Sequence, residues 1–308
     1  MNGSKFLRFI MTTAAILSCF ITHSVLADIA LLVHGFDSNA MTWQNSGVNQ
    51  YLDQQGWHYN GVLTAAGPSV NLLPVARAMA QQNPSSNGQQ KLFNANLAST
   101  APLEIQAQQL MAIIQWLNHR YPGEAIYLVG HSAGGLVARY AAVILFLQQP
   151  NRAAPNHIAG LITIASPHLG TGRAVQAIDS VESEPFFCPG PGWRIMRSLF
   201  GGDDYDLVKH SETLLYELYP SRPGSLLFWL NQQPHPVMPY FSVVRSSGGS
   251  AGDALVPGYS QNMNNIPALQ GQTITLFSYS NHFLNPSDAV TIHGILTILT
   301  AAPAEQIM

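Results

Sequence analysis

The 308 residues carry a formal charge of −3, and only 9% are Asp, Glu, Lys or Arg, well below the usual roughly 25%. That balance excludes a basic nucleic-acid surface and a charged disordered tail, while 47% hydrophobic residues support one large domain with a substantial core.

The N-terminus reads as an export signal. Lys5 and Arg8 form a positive n-region, Phe9 to Ile21 the apolar core, and Val25-Leu26-Ala27 the small-residue cleavage site. Cleavage is expected after Ala27, leaving a mature chain 28–308. The apolar run is short for a membrane span and holds Thr12, Thr13 and Ser18. Ile16-Leu17-Ser18 makes Cys19 a poor lipidation site. Losing two bases and no acid takes the charge from −3 to −5. Cys188 is then the one remaining cysteine, so no internal disulfide can form.

Ile29 to Val33 is the first predicted strand, and it ends in His34-Gly35-Phe36. The chain from Met41 to Gln55 reads as one helix packed through Trp43, Val48 and Leu52. Trp57 to Leu63 suggests a second strand. Residues 64–100 give no clear pattern beyond a polar loop at 81–88. Leu103, Ala107, Leu110, Ile114 and Leu117 recur at helical spacing, which predicts a helix over 102–120 with Thr100 as its cap.

Ile126 to Val129 is a short buried strand that stops at Gly130-His131-Ser132-Ala133-Gly134. A helical pattern follows at once, Leu136 to Leu147. Strand, G-x-S-x-G, helix is the context that gives this motif chemical meaning. The turn lifts the serine hydroxyl above the sheet, and the two glycines let strand and helix approach closely. The helix start and the Ala133 N–H then face any negative charge that develops at the serine. If the first strand is its parallel neighbour, the Phe36 N–H supplies a second donor.

Strands follow at Ile158–Ala165, Tyr240–Arg245 and Thr273–Tyr279, and a closing helix at 287–300. Alternating strands and helices predict a mostly parallel sheet covered on both faces. Residues 173–235 read as an insertion, with Phe186, Phe187, Trp193, Met196 and Phe200 as its apolar part. A mobile lid and a fixed helical cap fit that pattern equally.

A serine nucleophile needs a base, and the base needs a carboxylate. Asp253 and His282 follow successive late strands, so the order is Ser132, Asp253, His282. Rival groups are His293, inside the last helix, and Asp203, Asp204 and Asp206 in the insertion. Asp288 falls after the histidine, which is the wrong order. His168 precedes any suitable acid and reads as a rim or structural residue.

Leu32-Val-His-Gly-Phe36, Val129 to Gly135, Ala165 to Gly170, Asp253 to Pro257 and Asn281-His282 resemble the α/β-hydrolase superfamily, and within it secreted bacterial triacylglycerol lipases and esterases. The resemblance implies an α/β-hydrolase fold with a lid or cap insertion. It implies Ser132, Asp253 and His282 as triad and the Phe36 and Ala133 N–H groups as oxyanion hole. It also implies an ester substrate, contact with a lipid surface, and a secreted or periplasmic location. No cofactor is expected. Some similar lipases hold a structural calcium through an aspartate two residues beyond the histidine. Leu284 stands there, so calcium is not predicted. A phospholipase, an acyltransferase and a non-catalytic binding module remain alternatives. A lipase-specific foldase is a candidate secretion partner that no residue here demonstrates.

Overall fold

The structure, a computed structural model, describes residues 27–74, 89–149, 157–182, 204–247 and 250–301. Residues 1–26 of the stretch 1–27 expected as an export signal, the loop 81–88, Cys188, and the apolar residues Phe186 to Phe200 of the stretch expected as an insertion lie outside the described residues. Among those described, no helix is long and apolar enough to cross a membrane.

Strand β1 (Ile29–Val33) lies at the centre of the sheet, paired in parallel with β4 (Lys91–Asn96) and β5 (Ile126–His131). The order is β3-β2-β4-β1-β5-β6-β7-β9, with β2 His58–Ala66, β3 Ser69–Pro74, β6 Ile158–Ile164, β7 Tyr240–Ser247 and β9 Thr273–Ser278. A two-residue strand, β8 (Ser250–Ala251), turns back antiparallel on the end of β7.

The alternation of side chains along each strand divides the core in two. Ile29, Leu31, Val33, Phe93 and Leu128 join one cluster, with α3 (Leu103–Arg120) and α4 (Ala133–Gln148). Ala30, Leu32, Leu92, Val129 and Ile162 join the other, with α2 (Val48–Gln54) and the C-terminal helix, Pro286–Ala301. Burial on both sides explains why these strands read as unbroken apolar runs.

Three expectations are corrected. The helix over 41–55 is two, α1 (Thr42–Asn45) and α2, broken at Gly47, whose φ of 80° no helix accommodates. The unclear stretch after Leu63 holds an antiparallel β2–β3 hairpin and then β4, so the simple strand–helix alternation is interrupted. Thr100 does not cap α3. The Leu103 N–H instead donates to Glu217 Oε2 at 2.7 Å, a carboxylate from the insertion.

The stretch expected as an insertion supplies α5 (Gly172–Glu182), α6 (Asp204–His210), α7 (Glu212–Glu217) and α8 (Leu226–Gln232). Leu214, Leu218, Leu227 and Leu230 are buried in the same cluster as α3 and α4. The described part of 173–235 is thus built into the core.

After α9 (Gly258–Gln261) and β9, the chain ends in α10, the helix Pro286–Ala301. Asp288 accepts from Arg245 of β7 through both oxygens, at 2.6 and 2.9 Å, with both side chains fully buried. Arg245 also donates to the Phe283 carbonyl, and Asp288 accepts from the Asn285 N–H. The pair fastens the 283–288 turn to the sheet. Removing one partner leaves an uncompensated buried charge. Asp288→Ala is expected to lose about 3–5 kcal/mol of stability, measured by urea unfolding.

Candidate active site

Ser132 stands between β5 and α4 with φ 53° and ψ −130°, a conformation that L-residues rarely hold. Its N–H is fixed to the Ile164 carbonyl of β6 at 2.8 Å. The turn closes because both flanking glycines lack side chains. A Cβ on Gly130 would strike the Gly135 backbone, and one on Gly134 would strike the Val33 and His34 carbonyls. Gly35 is needed for proximity rather than for a turn. A Cβ there would come within 2.9 Å of Ser132 Cβ. The His34–Phe36 loop therefore runs directly against Ser132.

His282 Nε2 lies 2.9 Å from Ser132 Oγ, and its Nδ1 lies 2.9 Å from Asp253 Oδ2. A carboxylate only accepts, so Nδ1 carries the proton and Nε2 is left to accept from the serine hydroxyl. Burial raises the Asp253 pKa. The His282 hydrogen bond and charge, with the Val256 and Leu255 N–H groups, outweigh it and hold the carboxyl below the usual range. Leu255 and Val256 N–H both donate to Oδ1 at 2.8 Å, and Gln261 Nε2 donates to Oδ2 at 3.1 Å. Gln261 is itself fixed by the Arg245 N–H at 2.7 Å.

The structure thus brings together Ser132 from the end of β5, Asp253 from the loop after β8 and His282 from the loop after β9. Ala133 begins α4, so its N–H is among those with no intrahelical acceptor. Phe36 lines the same cavity as the serine. The rival groups are elsewhere. His293 packs its ring against Tyr51. Asp206 is exposed on α6, and Asp203 lies outside the described residues. His168 is fully buried, with Nε2 3.1 Å from Thr163 Oγ1, which makes it structural.

Two histidines escaped the sequence reading. His131 precedes the serine and donates from Nε2 to the His282 carbonyl at 2.8 Å. Its ring packs beside the His282 ring, 5.2 Å between centroids, and meets Trp43 edge-on. Burial, then the neighbouring His282, lowers its pKa to about 3, so it stays neutral. His34 accepts the Leu97 N–H at Nε2, 3.0 Å, which ties the loop after β1 to the loop after β4. Its pKa is lowered by burial. The signal in both cases was a histidine inside an apolar strand end, a pattern usually given over to packing.

A cavity of about 490 Å³ opens at Ser132. Pro167, Ala174, Ala177, Leu215, Leu218 and Val256 give it an apolar wall. Polar groups enter from Ser38, Thr42, Asn45, Arg173 and Gln176. Leu284, the position where a calcium aspartate was considered, lines the cavity too.

Comparison with known proteins bears on the fold. The PGAP1-like alpha/beta domain family matches residues 90–181. The Listeria innocua lin2722 gene product superposes with a TM-score of 0.54 at 13% identity, covering 88% of this chain and 94% of that one. The mature form of the Bacillus licheniformis lipase BlEst2 gives 0.54 at 14% identity, covering 89% and 92%. No curated protein matches the sequence. The sheet order and these similarities give the chain an α/β-hydrolase fold.

His131→Leu removes the donor that holds the His282 backbone. It is expected to lower kcat on the order of 10²-fold with KM little changed, and His131→Gln to recover part of the loss, in steady-state ester hydrolysis.

Proposed function

We propose that this α/β-hydrolase-fold chain is a serine hydrolase of carboxylic esters, with lipid acyl esters as its substrates. The observation that carries the reading is the unbroken hydrogen-bonded series from Ser132 through His282 to Asp253. Ser132 attacks the ester carbonyl while His282 takes its proton. The Phe36 and Ala133 N–H groups hold the oxyanion. His282 returns the proton to the leaving alcohol, and water repeats the sequence to free the acid. Asp253 keeps the histidine in the tautomer that can accept at Nε2.

The apolar cavity wall and the lipase among the similar structures support an acyl chain in the substrate. The export segment 1–27 supports a secreted or periplasmic site of action, with residues 28–308 as one hydrolase domain and 173–235 as its cap. Arg173 gives one specific reason to keep a phospholipid in view. It lines the cavity with Nε donating to the Ala254 carbonyl and Nη1 to Gln176 Oε1, a cation set where an anionic head group would lie. An acyltransferase shares every catalytic residue and differs in the acceptor. A non-catalytic binding module is disfavoured, since it would have no use for the assembled triad.

The test is hydrolysis of p-nitrophenyl butyrate and palmitate by the mature protein. Activity is expected on both, nearly abolished in Ser132→Ala and lowered about 10⁴-fold in Asp253→Asn. Wild-type turnover in Ser132→Ala would overturn the reading. Activity on butyrate alone would restrict the substrate to short acyl chains.

A further inference from the structure

Thr171 stands just before α5 and Arg173 in its first turn, and both line the cavity. Both reach across to the loop that carries Asp253. The Thr171 hydroxyl donates to the Leu255 carbonyl, and Arg173 Nε donates to the Ala254 carbonyl at 2.7 Å. The two residues are themselves fixed. The Thr171 N–H donates to the Leu218 carbonyl at 2.8 Å, and its hydroxyl accepts the Arg173 N–H at 3.1 Å. Arg173 Nη1 donates to Gln176 Oε1. The next carbonyl of the loop, Val256, accepts from Gln261 Nε2 at 2.7 Å.

These carbonyls belong to particular peptide units. The Ala254 carbonyl and the Leu255 N–H share one planar amide, and the Leu255 carbonyl and the Val256 N–H share the next. Both N–H groups donate to Asp253 Oδ1 at 2.8 Å. Each amide that holds the carboxylate is therefore held at its other end by Thr171 or Arg173. A donor on the carbonyl fixes the amide plane and polarises it, so its N–H becomes a better donor. Arg173 adds a full positive charge to that effect. The Asp253 side chain is fully buried, and among the described residues its ion-pair partner is His282. The rest of its charge is met by neutral N–H donors.

We propose that Thr171 and Arg173 are positioning residues for Asp253, and through it for His282. The inference rests on the reading of Asp253 as the carboxylate of a serine hydrolase. The two residues act through the amides and not on the reacting atoms. Without them the Leu255 and Val256 N–H groups bond Asp253 less strongly. The carboxylate then keeps more of its negative charge, and His282 holds a proton to higher pH. His282 must be neutral to act as a base, so activity appears later as pH rises. The other charged or titratable groups near His282 are untouched. They are the neutral His131 beside its ring, the Arg245–Asp288 pair on its loop, and Asp37 on the cavity wall.

The experiment uses the mature chain and p-nitrophenyl butyrate, a neutral ester that gives Arg173 no anion to bind. Thr171→Val removes the hydroxyl at similar size, Thr171→Ser keeps it, and Arg173→Met removes both donor and charge. Thr171→Val and Arg173→Met are each expected to lose roughly 10-fold in kcat with KM little changed. Both should move the acidic limb of the kcat/KM profile to higher pH, Arg173→Met the further. Thr171→Ser should restore both kcat and the limb. Should Arg173→Met fail to fold, the two Thr171 variants decide. A fall in kcat with the limb unmoved, an equal loss in Thr171→Ser and Thr171→Val, or a rise in KM alone would overturn the proposal. Turnover indifferent to Ser132→Ala would remove the underlying reading with it. Ser132-dependent turnover untouched by Thr171→Val and Arg173→Met would remove this inference alone.

Discussion

The structure depends on one close approach between backbones. The start of α4 lies against the end of β1 so tightly that Gly134 has no room for a Cβ beside the Val33 and His34 carbonyls. This contact sets the height of Ser132 above the sheet and the distance from the serine to the Gly35–Phe36 loop. Neighbouring β6 adds the hydrogen bond from the Ser132 N–H to Ile164. The strained serine is held from three sides: β1 behind it, β6 beside it, and its own helix ahead. Strain of this kind persists only where the surroundings over-determine it.

The loops that carry Asp253 and His282 are fixed with the same redundancy. Asp253 receives three N–H donors besides the histidine, so its orientation survives without substrate. The base loop is gripped at the His282 carbonyl by His131 and at the Phe283 carbonyl by Arg245. Gln261 and Arg245 are shared nodes: one touches Asp253 and β7, the other β7, Asp288 and the base loop. The polar groups around the site act mainly by fixing geometry.

The hydrogen-bonded series of Ser132, His282 and Asp253 was legible because its signals are local. G-x-S-x-G between a strand and a helix is a steric signature, and loops at strand ends offered one suitable acid and one suitable base. The sheet centre was legible because burial on both faces leaves unbroken apolar runs. β4 was not, since Lys-Leu-Phe-Asn-Ala-Asn hides polar residues that are buried in pairs. Lys91 meets Glu124 at 2.8 Å, and Asn94 bonds the Ala40 carbonyl and Asn49. The cap on α3 was also out of reach, because Glu217 arrives from 114 residues away. No local pattern encodes a partner supplied by tertiary structure. His131 and His34 were hidden for a related reason, as their function lies in which carbonyl or N–H they meet.

The central position of β1 has a consequence for how the chain reaches this fold. Ile29 pairs with Lys91 on one side and Ile126 on the other, so the first strand to emerge during synthesis waits longest for its neighbours. Until β4 and β5 exist, both of its hydrogen-bonding edges stay open. Loop closure must come before any reward from pairing, which makes such topologies slow to fold and exposes them to aggregation.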